Sequence, residues 1–244
     1  MMSDLDKTSG LFVAGTDTGV GKTIVTAGLV RLALANGCRA QAIKPIETGC
    51  SVRAGVLFPE DGALLCAASG GALTLGETAP FRFSFPASPY RAAAMEGKRL
   101  KLANVVEHVR TVAAGCDLIL VEGAGGLMVP IEERLMMIDL IEHLAYPVLL
   151  VARTALGTVN HTMLSVEAMK QRAIKLAGIV FSCTSTPPGP EEEFTPREVA
   201  RLAGDVPYAV LPFLSSEIIG DPPEIARVMA DLWPEQTLKK WLGT

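Results

Sequence analysis

A glycine-rich segment close to the start of the chain constrains its fold more than any other feature. The segment Gly15–Thr23 reads GTDTGVGKT and directly follows the apolar run Leu11–Ala14. Glycines let backbone N–H groups converge on phosphate oxygens, and a helix that begins after them points its positive dipole end at the same oxygens. The segment therefore predicts a strand, a phosphate-binding loop and a helix, in that order.

Two side chains at the end of this loop carry its chemistry. Lys22 is in position to reach the β- and γ-phosphates of a nucleotide, and the hydroxyl of Thr23 can bind magnesium. The spacing departs from the usual pattern, because five residues rather than four separate Gly15 from Gly21 and Thr16 takes a position where glycine is common. The alternative is a glycine-rich turn with an incidental Lys-Thr pair, which the flanking strand and helix patterns disfavour.

The composition favours a globular protein and argues against nucleic-acid-binding, secreted and membrane proteins. The 244 residues are 49% hydrophobic, enough for a sizeable core, and the net charge of −4 argues against a nucleic-acid partner. The five cysteines are scattered and form no metal-binding pattern, which indicates reduced thiols. The first ten residues are polar, unlike a signal peptide, and no apolar run is long enough to span a membrane. We therefore expect a cytoplasmic protein without a membrane partner.

Apolar runs rich in β-branched residues alternate with longer helical patterns. The predicted strands are continuously apolar, as in a parallel sheet covered on both faces: Leu11–Gly15, Arg39–Lys44, Asp117–Glu122, Pro147–Ala152, Leu176–Phe181 and Tyr208–Leu211. The predicted helices are Lys22–Asn36, Asp61–Ala68, Leu102–Ala114, Leu135–Leu144, Thr158–Gln171, Pro196–Ala203, Pro223–Leu232 and Glu235–Leu242.

This alternation predicts an α/β fold with a doubly wound, mainly parallel sheet flanked by helices, as in P-loop NTPases. We expect one domain over residues 1–244, with an ordered core of about 10–232. Two segments rich in Pro, Gly, Ser and Thr, Leu73–Tyr90 and Cys183–Glu193, are predicted to be loops over the binding edge. That edge lies at the carboxyl ends of the strands.

Charged side chains follow two of the predicted strands. Lys44 ends the second strand, where it is either a second positive charge beside a transferring phosphate or a solvated lysine. Glu122 ends the third strand before the segment Gly123–Gly126, and it is either a magnesium ligand or part of a turn. Asp61, at a predicted helix start, is either an N-cap or a metal ligand.

The fourth strand is followed by a second candidate anion site. Gly157 and Thr158 are predicted to begin a helix with Asn160 in its first turn, and N–H groups at a helix start suit a carboxylate or a phosphate. His161 is interpreted as a hydrogen-bonded helix residue. The chain offers no cysteine or histidine in a pattern typical of nucleophilic or acid–base catalysis.

Four motifs, GTDTGVGKT, KPIETG, VEGAGG and LGTVNHT, occur in this order and resemble those of the dethiobiotin synthetase family. The resemblance extends from about Leu11 to Phe213. It implies an enzyme of biotin biosynthesis that uses ATP, magnesium and CO2 to carboxylate 7,8-diaminononanoate (7,8-diaminopelargonate). The resulting carbamate would be phosphorylated to a carbamic–phosphoric anhydride, and the second amine would then close the cyclic urea of dethiobiotin.

The resemblance also implies a role for each candidate residue. The catalytic residues would be Lys22 and Lys44, with Lys44 between the carbamate and the γ-phosphate as a fixed charge or a proton donor. Magnesium would be bound by Thr23, Asp61 and Glu122. The nucleotide site would comprise Gly19, Val20, Gly21, Lys22, Thr23, Ile24, Asp61, Glu122, Gly123, Ala124, Gly125, Gly126, Ser182 and Pro212. The substrate would be bound by Thr18, Thr48, Gly157 and Asn160, the last two from a neighbouring subunit, which implies a homodimer.

Some positions depart from the family pattern. Some members have glutamate where this chain has Gly19, and some have lysine where it has Ala155, although Arg153 lies nearby in the sequence. The adenine base is typically read by an asparagine after the fifth strand, where this chain has Ser182, which has fewer hydrogen-bonding groups. Residues near Pro212 are alternative contacts for the base.

The main alternative is a dimeric P-loop ATPase switch of the partitioning or cell-division type. Such proteins resemble this one in the loop but have a signature lysine at the position of Asp17, and no basic or amphipathic C-terminal segment is evident here. A GTPase switch is disfavoured because the sequence has no Asn-Lys-x-Asp motif. A cobyrinate-type amidase is disfavoured because 244 residues leave no room for a glutaminase domain.

Overall fold

The computed structural model describes residues 9–184, 191–233 and 237. Its strands are β1 (Ser9–Gly15), β2 (Ala40–Ile43), β3 (Ile46–Thr48), β4 (Ser51–Arg53), β5 (Val56–Phe58), β6 (Phe81–Phe83), β7 (Leu118–Gly126), β8 (Val148–Arg153), β9 (Leu176–Ser182) and β10 (Tyr208–Leu211). Six of them form a central sheet of order β10-β9-β8-β1-β7-β2, in which every neighbouring pair is parallel. Beside it, β3 pairs in parallel with β6, and β4 and β5 form an antiparallel hairpin.

Helices cover both faces of this sheet. They are α1 (Lys22–Ala35), α2 (Glu60–Ala68), α3 (Leu75–Thr78), α4 (Pro89–Met95), α5 (Leu102–Ala113), α6 (Met137–Leu144), α7 (Thr158–Gln171), α8 (Glu191–Leu202), α9 (Ser216–Ile219) and α10 (Pro222–Ala230). Buried apolar side chains of α1, α2 and α10 form one core cluster, and those of α5, α6, α7 and α8 belong to another. The predicted doubly wound α/β fold is therefore confirmed.

The central strand β1 shows why its sequence is apolar throughout. Phe12 and Ala14 belong to one core cluster, whereas Leu11 and Val13 belong to the other. Successive side chains of a strand point to opposite faces, so a strand with a core on each side needs an apolar residue at every position.

Several predicted boundaries differ from the structure. The helix predicted to begin at Pro196 begins at Glu191 and contains that proline, which removes one intrahelical hydrogen bond but does not end the helix. The predicted helix Glu235–Leu242 lies outside the described residues apart from Thr237, and so does much of the predicted loop Cys183–Glu193.

The prediction of a loop over Leu73–Tyr90 is wrong, because α3, β6 and the start of α4 lie within it. A capping box begins α3: the Thr74 hydroxyl accepts a hydrogen bond from the Glu77 N–H, and the Glu77 carboxylate accepts one from the Thr74 N–H. The spacing Thr-x-x-Glu signals a helix start and was available in the sequence.

Strand β7 is longer than predicted. The strand was predicted to end at Glu122, with a turn as the alternative to a magnesium ligand there, but it continues to Gly126, which pairs with Gly15 of β1 after an irregularity in the register. A Cβ on Gly126 would lie 3.2 Å from the backbone oxygen of Thr16, so glycine allows this close pairing. Within the part of the chain that the structure describes, no helix has both the length and the apolar character needed to cross a membrane.

Candidate active site

The glycine-rich loop joins β1 to α1 at the carboxyl end of the sheet. Gly21 is the N-cap of α1 and has a φ of 95°, a left-handed conformation that favours glycine. A Cβ at Gly21 would also lie 2.8 Å from the hydroxyl oxygen of Ser182, so packing excludes a side chain there. The loop thus exposes the first turn of α1, whose N–H groups have no intrahelical partner and carry the positive end of the helix dipole.

The side chain of Lys22 folds back across this loop. Its Nζ donates a hydrogen bond to the backbone oxygen of Asp17 at 2.8 Å. Gly15 makes room for it, because a Cβ at Gly15 would lie 2.8 Å from the same nitrogen. Burial lowers the pKa of Lys22 to about 8, although attraction to Glu122 opposes the shift. The ammonium group is therefore held beside the loop.

Lys44 lies just beyond β2 and connects two carboxylates from different elements. Its ammonium group pairs with Asp61 in the first turn of α2 and with Glu122 in β7, the latter at 2.9 Å. Burial by itself lowers the pKa of Lys44, but attraction to Glu122 and Asp61 outweighs it, and the pKa is raised. Lys44 is only 7% exposed, so the alternative of a solvated lysine is wrong.

The alternative interpretation of Asp61 as an N-cap is also wrong. Helix α2 begins at Glu60 with Pro59 at its N-cap, and Asp61 is in its first turn. The carboxylate of Asp61 accepts a hydrogen bond from Lys44 instead of binding N–H groups of its own helix. This places an acidic group where it faces both the ammonium group and the loop.

Glu122 has an oxygen whose bonding is incomplete. Its Oε1 accepts a hydrogen bond from the Thr23 hydroxyl at 2.9 Å, while its Oε2 is buried with no partner among the described residues. No group of three or more His, Cys, Asp or Glu side chains in the described ranges could hold a metal ion by itself. Magnesium is often bound by one or two carboxylates together with water and substrate phosphates. Thr23, Asp61 and Glu122 therefore fit a magnesium ion that binds with a nucleotide.

A cavity of about 370 Å³ lies among these groups. Most of the predicted site residues line it: Thr18, Gly19, Gly21, Lys22, Thr23, Ile24, Lys44, Thr48, Asp61, Glu122, Ala124 and Gly125. Leu64 of α2 and Ile219 of α9 also line the cavity and were not predicted from the sequence. Apolar residues in helices belong to no motif, so no signal in the sequence singled them out.

Other predicted nucleotide contacts are placed differently. Val20 is fully buried in the core, and a Cβ on Gly123 would lie 2.9 Å from the Phe12 ring, so Gly123 faces the core. Ser182 is buried, whereas Pro212 is exposed. The contacts of these residues with a nucleotide stay predictions.

A second pocket, of about 460 Å³, also borders the loop. We call it the α7 pocket; it is lined by Thr16, Asp17, Gly126, Leu127, Met128, Val129, His161, Leu164, Ser165 and Ala168. The predicted substrate residues Gly157 and Asn160 lie at the start of α7 and are both exposed, outside the first cavity. Nearby apolar side chains are exposed as well: Leu156 by 91%, Leu164 by 62% and Met128 by 61%.

Arg153 connects the end of β8 to the glycine-rich loop. Its guanidinium pairs with the carboxylate of Asp17 at 2.8 Å, and the other oxygen of that carboxylate accepts a hydrogen bond from the Thr18 N–H at 2.7 Å. Arg153 is therefore directed at the loop, next to the α7 pocket.

Comparison with known proteins decides the family. A family model described as an AAA domain matches residues 9–230. Over 204 residues the chain is 46% identical to "ATP-dependent dethiobiotin synthetase BioD" of Anaeromyxobacter dehalogenans (strain 2CP-C), an alignment that covers 84% of this chain and 90% of that protein. The chain belongs to the dethiobiotin synthetase family. A protein of the same name from Bacillus subtilis (strain 168) is 35% identical over 208 residues, which cover 85% of this chain and 88% of that one.

Solved structures share the fold of this dethiobiotin synthetase family member at much lower identity. A ParA family ATPase from Chlorobium tepidum TLS is 13% identical, with a TM-score of 0.54 over 96% of this chain and 97% of that one. The septum site-determining protein MinD complexed with Mg-ADP from Pyrococcus horikoshii OT3 is 18% identical, with a TM-score of 0.52 over 96% and 93%. This similarity confirms the P-loop fold and says nothing about a switch function.

Proposed function

We propose that this chain is an ATP-dependent dethiobiotin synthetase, a ligase of biotin biosynthesis. Its substrates would be ATP, CO2 and 7,8-diaminononanoate, and its product the cyclic urea dethiobiotin. The observation that carries the proposal is the meeting of Lys22 and Lys44 at one cavity beside the glycine-rich loop, in a chain of this family.

The reaction requires two anions to be held together. One amine of the diamine takes up CO2 and forms a carbamate. A carbamate oxygen then attacks the γ-phosphorus of ATP and releases ADP. The second amine attacks the carbonyl carbon of the mixed anhydride, closes the ring and releases phosphate. Carbamate and triphosphate repel each other, so catalysis depends on positioning and charge neutralisation.

The two lysines are suited to that task. Lys22 would bind the β- and γ-phosphates, and Lys44 would lie between the γ-phosphate and the carbamate. Since the ion pairs with Asp61 and Glu122 raise the pKa of Lys44 and fix its ammonium group, they support the role of a fixed charge over that of a proton donor. Thr18 and Thr48, which line the same cavity, would contact the phosphate and the diamine.

We propose Mg²⁺ as the cofactor, bound by the Thr23 hydroxyl and the carboxylates of Asp61 and Glu122. The unpartnered buried oxygen of Glu122 and the Thr23 hydroxyl beside the same carboxylate support these three residues as metal ligands. When bound, the metal ion supplies positive charge to the phosphate oxygens. The hydrogen bond between Thr23 and Glu122 orients both groups.

The rest of the nucleotide would lie along the loop and the ends of two neighbouring strands. N–H groups of Gly19–Ile24 would bind phosphates, and the segment Gly123–Gly126 would border them. Ser182 ends β9 opposite Leu211 of β10, and Pro212 follows directly. This register brings Ser182 and Pro212 to one edge, which supports a shared contact with the base.

A homodimer would complete the substrate site. The substrate carboxylate would bind at the start of α7, near Gly157 and Asn160, in a second subunit. These residues lie outside the first cavity, and the exposed Leu156, Leu164 and Met128 provide an apolar surface for a second copy. The apolar chain of the diamine would then bridge the two subunits. We also propose that residues 1–244 form one domain and act in the cytoplasm without nucleic acid or membrane partners.

Mass spectrometry of the reaction product tests the proposal. The protein is incubated with the diamine, ¹³C-bicarbonate, Mg²⁺ and ATP, and we expect a cyclic urea that carries the label. ATP hydrolysis should require both the diamine and CO2 or bicarbonate. Brisk hydrolysis with neither present, and no labelled product, would overturn the synthetase and favour the partitioning-type switch. Parallel reactions with other nucleoside triphosphates measure base selectivity, because Ser182 offers fewer hydrogen-bonding groups to the base than an asparagine would.

A further inference from the structure

Helix α2 carries Asp61 to the cavity but has no cap of its own. Its N-cap position is Pro59, and no side-chain cap hydrogen bond is formed there. The first N–H groups of a helix lack intrahelical partners and must be satisfied from elsewhere. The orientation of Asp61 therefore depends on what binds the first turn of α2.

Glu47 of β3 supplies these hydrogen bonds from outside the helix. Its Oε1 accepts from the Asp61 N–H at 3.1 Å, and its Oε2 accepts from the Gly62 N–H at 2.8 Å. These are the second and third residues of α2, whose N–H groups an N-cap side chain would otherwise bind. A carboxylate also suits the positive end of the helix dipole. Glu47 is only 5% exposed, so its carboxylate is held in this position.

The surroundings of Glu47 allow this close approach. A Cβ on Gly62 would lie 2.7 Å from the Cβ of Ala79 and 3.3 Å from Oε2 of Glu47, so glycine is needed beside the carboxylate. Strand β3 is fixed by its pairing with β6, in which Glu47 lies opposite Arg82. Glu47 does not line the cavity, although Lys44 and Thr48 on either side of it in the sequence do. Glu47 also attracts the ammonium group of Lys44, so its effect on a ligand passes through α2 with Asp61 or through Lys44, and a test must separate these two routes.

We propose that Glu47 is a positioning residue, which fixes the carboxylate of Asp61 by binding the backbone of α2 and so sets the magnesium-dependent affinity of the site for nucleotide. The choice of magnesium and ATP rests on the proposed function. Binding can nevertheless be measured without turnover, so the two claims can fail separately.

The test is the affinity of the full chain for ATP, measured by calorimetry with saturating Mg²⁺ and with EDTA. The substitution Glu47→Gln replaces one of the two carboxylate oxygens by an NH2 group, which cannot accept a hydrogen bond from the N–H group of Asp61 or Gly62. We expect affinity with Mg²⁺ to fall roughly tenfold and affinity in EDTA to stay unchanged, because a lost hydrogen bond to a charged group is of about that size. Equal losses with and without Mg²⁺ would overturn the proposal.

Glu60→Gln is the matched control. Glu60 is in the same turn of α2, and the substitution removes the same charge, but its carboxylate binds Ser51 and Arg53 at the surface. We expect Glu60→Gln to bind ATP as the unchanged protein does. A loss equal to that of Glu47→Gln would assign the effect to charge near the helix and overturn the role of Glu47.

A double-mutant cycle separates positioning from a general structural role. If Glu47 acts through Asp61, Glu47→Gln should cause no further loss in a protein that already carries Asp61→Asn. The same tenfold loss in both backgrounds would overturn the proposal. Thermal unfolding shows whether each variant is folded. Should Glu47→Gln not fold, Glu47→Asp takes its place, since a shorter carboxylate reaches the same N–H groups less well. Absence of dethiobiotin from the unchanged protein, with the cycle intact, would overturn only the proposed function.

Discussion

The two pockets that border the glycine-rich loop differ in the kind of side chains that line them. The cavity of Lys22 and Lys44 is closed by polar contacts between distant parts of one chain, such as the hydrogen bond from Thr23 to Glu122. The α7 pocket is lined in part by apolar side chains that remain exposed, among them Met128 and Leu164. The first region pairs Lys44 with two carboxylates of the same chain, whereas the second leaves an apolar surface exposed, which the proposed dimer would cover.

The chemistry of the two regions explains this difference. A buried charge is costly unless it is paired, so a site for phosphate transfer needs counter-charges that are already fixed in place. An exposed apolar surface is also costly, but a second subunit can cover it and at the same time enclose an apolar substrate. We therefore expect that replacing charged or polar side chains in the first region lowers turnover or nucleotide binding directly. Substitutions of the exposed apolar side chains that line the α7 pocket should act through assembly.

The largest effect is expected for Lys44→Gln. If Lys44 acts as proposed, between the γ-phosphate and the carbamate, loss of its charge should lower kcat on the order of 100-fold or more, as when a charge-stabilising donor is removed elsewhere. The labelled-product assay measures this, and thermal unfolding confirms that the variant is folded. Lys98→Gln is the control, because Lys98 is an exposed partner of Glu96. Turnover at the normal rate in Lys44→Gln would remove Lys44 from the mechanism.

A smaller effect is expected for Thr23→Val. The substitution keeps the shape of the side chain and removes the hydroxyl that donates to Glu122. A hydrogen bond that involves a charged group contributes about 1.5–3 kcal/mol, so Mg²⁺-dependent ATP binding should weaken roughly 10- to 100-fold. Calorimetry with Mg²⁺ and with EDTA provides the measurement.

Thr23→Ser keeps the hydroxyl and should restore most of this affinity. An equal loss in Thr23→Val with EDTA would show that the hydroxyl supports the fold of the loop and not the metal ion.

Most of the residues around Lys22 and Lys44 could be predicted from the sequence, whereas their contacts with each other could not. Phosphate chemistry restricts residue types within a short segment, so Lys22, Thr23 and the glycines that precede them could be predicted from one motif. Lys44 and Glu122 were also found, because each follows an apolar strand and such strands end at a common edge. Their pairing with each other could not be read from the sequence, since it depends on β2 and β7 being neighbours in the sheet.

Features that depend on tertiary packing were missed. Glu47 stands within a motif, yet its role depends on a helix that begins later in the chain. Leu64 and Ile219 are ordinary apolar helix residues until the fold brings them to the cavity. The continuation of β7 to Gly126 was missed because glycine runs normally indicate turns, and only the pairing with β1 explains it.

The α7 surface is tested by Leu164→Glu. Leu164 is 62% exposed and lines the α7 pocket, so a carboxylate there would be buried in the proposed dimer. We expect the dimer to dissociate at concentrations at least about tenfold higher than before, because burial of a leucine contributes about 1.5–3 kcal/mol. Light scattering measures the mass, and calorimetry should show unchanged ATP binding. Leu202→Glu, at an exposed leucine of α8, is the control.

Mixing two inactive variants tests whether the site is shared between subunits. Lys44→Gln damages the phosphate region, and Asn160→Ala damages the start of α7. In a two-fold dimer, random mixing gives heterodimers with one intact site, so about a quarter of full activity should return. No recovery, with exchange of subunits shown by mass spectrometry, would mean that each chain builds its whole site alone.

The smallest effect is expected where the two regions meet, at the ion pair of Arg153 with Asp17. Both side chains are partly exposed, by 38% and 53%, and such pairs contribute about 0.2–1 kcal/mol, so Arg153→Gln should lower kcat/KM about threefold. Asp17 also accepts a hydrogen bond from the Thr18 N–H, and for that reason Asp17→Asn alone should cost more. A double-mutant cycle isolates the interaction between Arg153 and Asp17, and we expect a coupling energy below about 1 kcal/mol.

The control is Arg39→Gln, which removes an exposed ion pair with Asp117 and should leave kcat/KM unchanged. A coupling between Arg153 and Asp17 well above about 1 kcal/mol would show that the loop and the α7 region act as one unit, because an exposed ion pair alone cannot supply it.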